Sequence, residues 1–190
     1  MKTMVGIGYV VAIALAMNVS ANAAVTVTKR QAVKMQAGTS ALYRQVDASF
    51  SPVPMDSSLA QLRRLVTTAR ATRCDQEGGC TWMSASRVEH YFYGETPASR
   101  VLVVKSLVAS TAGRQPIAAL GIGTARDQRT VMANIRRAFP RLSFRCRSDE
   151  VSGNVGPVEC SADVAPGWVQ IGFTGAGVLQ AVRFDAYQFI

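Results

Sequence analysis

Residues 124–137 read TARDQRTVMANIRR, and an Arg-Cys pair that ends at Cys146 follows them. Residues 55–65 read MDSSLAQLRRL, and a second Arg-Cys pair that ends at Cys74 follows those. Each stretch contains an Arg-Arg pair, and each is followed by a loop, another cysteine and two strand-like runs. This repeated order predicts an internal duplication in which both halves have the same architecture.

Both stretches carry apolar residues at helical spacing, with arginines outside the apolar stripe. We expect Asp56 or Ser57 to cap the first helix, and Thr124 with Asp127 to form a capping box at the second. Because each helix is apolar on one side only, each must pack on an apolar surface. The stripe consists of Leu59, Leu62 and Val66 in the first helix and of Val131, Ile135 and Phe139 in the second, which Pro140 ends.

Two pairs of strand-like runs supply that surface. Residues 88–93 and 100–108 are joined by a loop with Gly and Pro, and residues 168–174 and 178–184 are joined by Gly-Ala-Gly. Both pairs are typical of β-hairpins, and in the last one apolar and polar residues alternate. Helices that precede antiparallel strands indicate an α+β fold, here a tandem repeat of a short helical segment packed on an antiparallel sheet.

The beginning of the chain is typical of a secretory signal peptide. Lys2 precedes an apolar run over residues 6–17, and Ala-Asn-Ala ending at Ala23 matches the small-x-small cleavage pattern. The alternative is a membrane anchor, but Asn18 interrupts the run before it reaches the roughly 18 residues of a span. We therefore predict cleavage near Ala23 and a periplasmic or secreted protein. The predicted organisation is a signal peptide (1–23), an N-terminal segment (24–50), a first α+β repeat (51–109), a connector (110–119) and a second α+β repeat (120–190).

The predicted export would place the four cysteines in an oxidising compartment. In an oxidising compartment an even number of cysteines indicates disulfides. The alternative is a four-thiolate metal site, but neither spacing is the tight C-x2-C of thiolate zinc sites, and we expect no metal. Because each pair follows the helix of its own half, we predict one disulfide per repeat, Cys74–Cys80 and Cys146–Cys160.

The composition is that of a globular protein, with 48% hydrophobic and 17% charged residues, and its formal net charge is +9 at pH 7. We do not expect an exported basic protein to bind nucleic acid, so its anionic partners would be lipid, lipopolysaccharide or an acidic protein. The alternative is that the arginines form solvated helix faces. Those clustered in the second half are Arg126, Arg129, Arg136, Arg137, Arg141, Arg145 and Arg147.

The sequence offers little for catalysis. His90 is the single histidine, and it lies inside a strand-like run with neither a nucleophile motif nor a flanking serine. Gly121-Ile-Gly123 resembles a phosphate-binding loop, but Arg126 occupies the place of that motif's third glycine. We therefore predict that the protein is not an enzyme and binds no cofactor.

Large side chains with a polar end remain on the strands, and such residues anchor protein interfaces. Tyr91 and Tyr93 alternate with His90 and Phe92, so we place them, with Glu89, on the exposed face; a single bulge would reverse that choice. The alternative for each aromatic is packing in the core or on a solvated sheet surface. The predicted protein-binding face consists of Tyr91, Tyr93, Trp168, Gln170 and Arg183, flanked by Trp82.

Two stretches resemble a known superfamily. Residues 120–131, LGIGTARDQRTV, are similar to the entry motif of the SmpA/OmlA-like (BamE-like) and β-lactamase-inhibitor-protein superfamily. Residues 173–183, FTGAGVLQAVR, resemble its final hairpin. The resemblance extends over residues 56–185 and implies a tandem duplication with one disulfide per repeat.

In that superfamily the concave sheet face binds a partner protein, either a secreted β-lactamase or the outer-membrane assembly machinery. The resemblance implies a protein-binding module, an inhibitor or masking protein, whose partner is an unidentified envelope or secreted protein. Gln170, Gly172 and Arg183 match the concave face, although Gly172 replaces an aromatic, and Glu95 matches the acidic residue of the inhibitory loop. The alternatives are an outer-membrane assembly accessory protein and an envelope-associated factor on anionic lipid or lipopolysaccharide.

Overall fold

The structure is a computed structural model that describes residues 40–66, 70–74, 78–148 and 155–186. The predicted signal peptide lies outside these residues. Among the helices described, none is long and apolar enough to cross a membrane. The helices are α1 (Ala41–Phe50), α2 (Leu59–Leu65), α3 (Ala109–Ala112) and α4 (Gln128–Ala138), with a 3-10 turn at Ala119–Gly121. The strands are β1 (Arg70–Cys74), β2 (Gly79–Met83), β3 (Glu89–Tyr93), β4 (Val101–Val108), β5 (Arg145–Ser148), β6 (Val158–Val164), β7 (Gly167–Phe173) and β8 (Leu179–Asp185).

The strands of the described chain form one antiparallel sheet in the order β1-β2-β3-β4-β8-β7-β6-β5. Strands β1 to β4 form one meander and β5 to β8 form another, and β4 pairs with β8 between them. This architecture confirms the predicted α+β class. Because the meanders are joined edge to edge, the two halves share one continuous sheet surface.

The helices lie on one face of this sheet, which we call the covered face. Leu62 of α2 and Ile135 of α4 are fully buried against it, as the apolar stripes predict. From α1, the rings of Tyr43 and Phe50 lie 5.1 and 5.9 Å from the ring of Phe184 in β8. The core therefore lies between the helices and the covered face.

Side-chain caps begin α2 and α4, and of these residues the sequence suggested only Asp127, as the partner of Thr124 and not as the N-cap. The Ser58 hydroxyl accepts a hydrogen bond from the Gln61 backbone N–H at 3.3 Å, and the Gln61 side chain accepts one from the Ser58 N–H at 2.7 Å. This reciprocal pair is a capping box. Asp127 caps α4 by accepting from the Thr130 backbone N–H at 2.9 Å. Three expected caps were wrong, because each lies one to three residues before the true N-cap. They are Asp56, Ser57 and Thr124.

The N-cap residues also join each helix to the last strand of its meander. Ser58 forms an isolated β-bridge with Val101, and Asp127 forms one with Val178. The start of the helix and the start of the final strand are therefore held together in the same way in both halves. A backbone hydrogen bond next to each bridge also occurs in both halves. The N–H of Leu102 donates to the carbonyl of Ser57 at 2.9 Å, and the N–H of Leu179 donates to the carbonyl of Arg126 at 2.7 Å.

Both predicted disulfides are confirmed. Cys74–Cys80 joins β1 to β2, and Cys146–Cys160 joins β5 to β6. In each case the two cysteines are direct cross-strand partners in the register. Each bond ties an edge strand of the sheet to its neighbour. Two disulfides are typical of proteins outside the cytoplasm.

Helix α1 was missed in the sequence, where its residues were assigned to an N-terminal segment. Ser40 caps it by accepting from the Tyr43 N–H at 3.0 Å, and Tyr43, Val46 and Phe50 are buried. These three residues have the i, i+3, i+7 spacing of an amphipathic helix, so the signal was present. The covered face of the first half is therefore packed by two helices, α1 and α2.

Candidate protein-binding face of the sheet

The face opposite the helices, which we call the open face, is defined by the strand register. Arg183 of β8 pairs with Ser106 and with Gln170, and Ser106 pairs with Glu89. Because Phe184 points to the covered face, its neighbours along β8 point to the open face. Eight residues at the centre of the open face form two adjacent rows across β3, β4, β8 and β7, which we call the central grid: Tyr91, Val104, Asp185 and Trp168, and beside them Glu89, Ser106, Arg183 and Gln170.

The structure brings most of the predicted site residues together here. Tyr91, Trp168 and Arg183 are half-buried members of the central grid, and Gln170 is a member that is only 3% exposed. Tyr93 lies two residues beyond Tyr91 on the same face of β3 and is 46% exposed. The alternation in β3 therefore predicted the correct orientation of both tyrosines.

Trp82 does not share that face. In β2 it pairs with His90, whose side chain is fully buried, and Trp82 itself is 7% exposed and belongs to the core. The guanidinium of Arg63 in α2 lies 5.4 Å from the centre of its ring, which places the indole on the covered face. Trp82 flanks the predicted site in sequence but is separated from it by the sheet.

A shallow depression opens within the first-half side of the central grid. Its volume is about 310 Å³, and its floor spans β2, β3, β4 and β8. The depression contains one phenol ring, one carboxylate, two aliphatic hydroxyls and one guanidinium, so it is suited to a side chain with both apolar and polar parts. The lining residues are Thr81, Glu89, Tyr91, Val104, Ser106 and Arg183.

Arg183 is held in a fixed orientation by Asp185. Its Nε lies 2.8 and 3.1 Å from the two carboxylate oxygens, and its second terminal nitrogen lies 2.6 Å from Oδ1. Hydrogen bonding to Asp185 raises the pKa of Arg183 despite the opposing effect of its burial, and Tyr91 adds a smaller contribution in the same direction. Arg183 therefore remains charged, and its guanidinium does not have to be ordered when a partner binds.

Two polar atoms beside this pair lack a hydrogen bond among the described residues. They are Oε1 of Gln170 and Nε1 of Trp168, and both atoms are buried. Buried polar atoms in native proteins are nearly always satisfied, so each exception needs an explanation. One is an acceptor and the other a donor, and because both are enclosed, neither can reach a partner unless the surrounding side chains move.

Beyond the central grid, a loop covers the open face at Gly172. A Cβ atom on Gly172 would collide with the carbonyl and side chain of Val155, which is buried just before β6. This close approach is why the position that the resemblance assigns to an aromatic is a glycine. The accessible part of the open face is consequently the central grid and the side toward β2, not the whole width of the sheet.

The covered face contains a polar cluster that the sequence did not reveal. The ammonium of Lys105 in β4 lies 2.6 Å from a carboxylate oxygen of Asp47 in α1, and it donates to the carbonyls of Asp47 (2.9 Å) and Ser51 (3.2 Å). The Ser51 hydroxyl lies 2.8 Å from Nε2 of His90. A lysine within the otherwise apolar run of residues 101–108 was the available signal.

His90 is neutral in this cluster. Burial, with a further contribution from the nearby ammonium of Lys105, lowers its pKa from 6.5 to about 4. Ser51 and His90 form a hydrogen-bonded pair of the kind that activates a nucleophile, yet they are 6% and 0% exposed. Since the pair faces the helices, a substrate on the open face would not reach it.

The clustered arginines have two different roles. Arg126 donates four hydrogen bonds to backbone carbonyls of Gly113, Gln115, Gly123 and Ala125, at 2.8 to 3.2 Å, and so ties this loop together. The other six are exposed: Arg129, Arg136, Arg137, Arg141, Arg145 and Arg147.

Within the described ranges, no group of three or more His, Cys, Asp or Glu residues could hold a metal ion.

No family model, no curated protein and no solved structure matches this chain. What the protein does must therefore be inferred from its own surface.

Proposed function

We propose that the protein is an exported protein-binding module, periplasmic or secreted, that binds its partner through the central grid. The observation that carries this proposal is the grouping of Tyr91, Trp168, Gln170 and Arg183 on a sheet face that no described helix covers. Tyrosine, tryptophan and arginine are the residues that dominate binding energy at protein interfaces. Arg183 is already ordered by Asp185, which lowers the entropic cost of binding.

The partner that we propose is an envelope or secreted protein, which the module inhibits or masks. The resemblance of residues 120–131 and 173–183 to the inhibitor-protein superfamily supports this role. So does the position of the central grid at the junction of β4 and β8, where both halves contribute to one surface. An accessory role in outer-membrane assembly would use the same face. The proposal assigns no catalytic step and no cofactor to the chain.

We propose further that the chain is a tandem repeat, with the first unit over residues 51–109 and the second over residues 120–190. The matched β-bridges of Ser58 and Asp127 support this division. A register shift also occurs next to the same residue type in both halves, at Phe92 in β3 and at Phe173 in β7. Register shifts at equivalent places in two hairpins are more specific evidence for a repeat than the short sequence matches are.

Capture with surface variants tests the binding function. The wild-type protein, Trp168→Ala and Tyr91→Ala would each be used as bait on envelope extract and on secreted proteins, at low and high salt. Hot-spot truncations cost about 2 kcal/mol or more, so each variant should weaken capture more than tenfold with little change in melting temperature. Arg137→Ala, an exposed change on α4, is the matched control and should bind as wild type. If all four baits retain the same proteins, binding does not use the central grid.

The exposed arginines favour a second candidate, an envelope-associated factor that contacts anionic lipid or lipopolysaccharide. Arg147 is paired with Glu159, and the other five exposed guanidinium groups in the second half add positive charge that attracts phosphates. Binding to phosphatidylglycerol vesicles that is lost when salt is raised to about 0.5 M, and that is also weakened by Arg137→Ala, would favour this candidate. Capture of one protein that persists at high salt would favour the packed interface instead.

A further inference from the structure

We propose that the depression in the open face binds a cationic side chain, arginine or lysine, that the partner protein presents. This inference rests on the proposed function and specifies the chemistry of the residue that would enter the central grid.

The charges of the central grid favour a cation. Asp185 neutralises Arg183 through their paired hydrogen bonds, so Glu89 is left as the uncompensated charge of the depression. The chain as a whole has a formal net charge of +9, so a net negative depression is a local exception. An ion pair between Glu89 and a cationic side chain of the partner would also fix how the partner is positioned on the sheet.

Glu89 retains the capacity to accept hydrogen bonds. The Ser106 hydroxyl donates to its Oε2 at 3.4 Å, and no other donor to this carboxylate occurs in the described part of the chain. A guanidinium carries five N–H donors and an ammonium three, so either can donate to both oxygens of the Glu89 carboxylate.

The walls of the depression suit the stem of a long basic side chain. The ring of Tyr91 and the side chain of Val104 line it beside Glu89, and cations are attracted to the faces of aromatic rings. Its volume of about 310 Å³ equals the share of roughly ten water molecules at about 30 Å³ each, which is enough for one large side chain. An anion would be less favoured, because the Nε and one terminal nitrogen of Arg183 already donate to Asp185.

The test is titration of the folded protein with capped amino acids, followed by NMR of the tyrosine and tryptophan ring signals. The probes are N-acetyl-arginine amide and N-acetyl-lysine amide, with the glutamate and norleucine amides as anionic and neutral controls. We expect a cationic probe to shift the ring signals of Tyr91, which lines the depression, with saturation at millimolar concentration. Trp82, on the covered face, provides an internal control and should not shift. Glu89→Gln should weaken binding at least fivefold, whereas Asp127→Asn, an exposed charge-removing change at the N-cap of α4 that keeps a capping side chain, should not.

Tighter binding of the glutamate probe would overturn the inference, and so would equal affinities of Glu89→Gln and Asp127→Asn for the cationic probes. Absence of any saturable shift with either cationic probe would also reject it. These outcomes are independent of the capture experiment. A partner that depends on Trp168 while the cationic probes fail to bind would leave the proposed function intact and remove only this inference.

Discussion

In both halves of the molecule a helix precedes a four-stranded meander. The side chains buried at matching positions beneath the helices are polar in the first half and apolar in the second. Counted from the cross-strand pairs Phe92–Leu102 and Phe173–Leu179, His90 corresponds to Ile171 and Lys105 corresponds to Val182. All four side chains are fully buried on the covered face. In the first half they belong to a polar cluster with α1, whereas in the second half they pack against apolar residues. The two meanders are therefore stabilised by two different kinds of core.

This difference determines how each half should respond to mutation. A buried ion pair contributes little compared with apolar residues of similar volume, but removing one partner leaves an uncompensated charge. An apolar core responds instead to lost volume. The first half should thus be sensitive to charge and pH, and the second half to cavities.

The largest effect is expected from Lys105→Ala. It leaves the carboxylate of Asp47 buried without its cation, which should destabilise the protein by roughly 3–5 kcal/mol in urea unfolding. The double variant Lys105→Met with Asp47→Leu removes both charges and should recover most of that loss. A single-variant cost below about 1 kcal/mol, typical of exposed pairs, would show that the pair is not buried as described.

In the second half, Ile135→Ala should cost roughly 2–5 kcal/mol, because the side chain is fully buried between α4 and the covered face. Arg136→Ala, next to it on the exposed side of α4, is the control and should change stability by less than about 0.5 kcal/mol. Equal stabilities of the two variants would mean that the apolar face of α4 has been assigned wrongly.

Between pH 7 and pH 5 the pH dependence should come from His90 in the first half. The pKa of His90 is about 4 in the folded protein, below the ordinary histidine value of 6.5 that applies in the unfolded chain, so the unfolded state binds more protons between these values. Stability should be complete above pH 6.5 and fall as the pH falls, by about 2 kcal/mol between pH 7 and pH 5. His90→Gln keeps a polar group near Ser51 without a titrating ring, and its unfolding free energy should change much less over this range. Parallel profiles for the two proteins would contradict the burial of a neutral His90.

The sequence predicted β3, β4, β7 and β8 and did not delimit β1, β2, β5 and β6, although the residues of β6, VECSADV, alternate between apolar and polar. Strands β3, β4, β7 and β8 are central and have long apolar patterns, so their orientation could be derived. The edge strands β1 and β5, RATRC and RCRS, are short and basic, and arginines on an edge protect it against further pairing. Their strand character comes from the disulfides and from their neighbours, which local pattern does not show.

The polar cluster and the position of Trp82 were not predictable for a related reason. Lys105 contacts residues more than fifty positions earlier in the chain, in a helix that was not recognised. Trp82 was placed with the tyrosines because its strand had not been identified, and without the pairing Trp82–His90 its face could not be assigned. Side-chain alternation thus predicted the open face, while contacts distant in sequence determined the covered one.

The smallest predicted effect compares the two N-caps, which occupy matching positions but differ in chemistry. Ser58→Ala should cost about 1 kcal/mol at every pH, because a hydroxyl cap does not titrate. Asp127 accepts from the N–H and the hydroxyl of Thr130, and these hydrogen bonds lower the pKa of its carboxyl. Its contribution should therefore be present at neutral pH and be lost as the pH falls through that lowered pKa. Thermal unfolding of both variants from pH 7 to pH 3, each compared with wild type at the same pH, separates the two cases. Since protonation of His90 destabilises all three proteins alike, it cancels in these differences. A melting-temperature deficit of Asp127→Ala that stays constant to pH 3, as that of Ser58→Ala should, would show that the carboxylate is not the cap of α4.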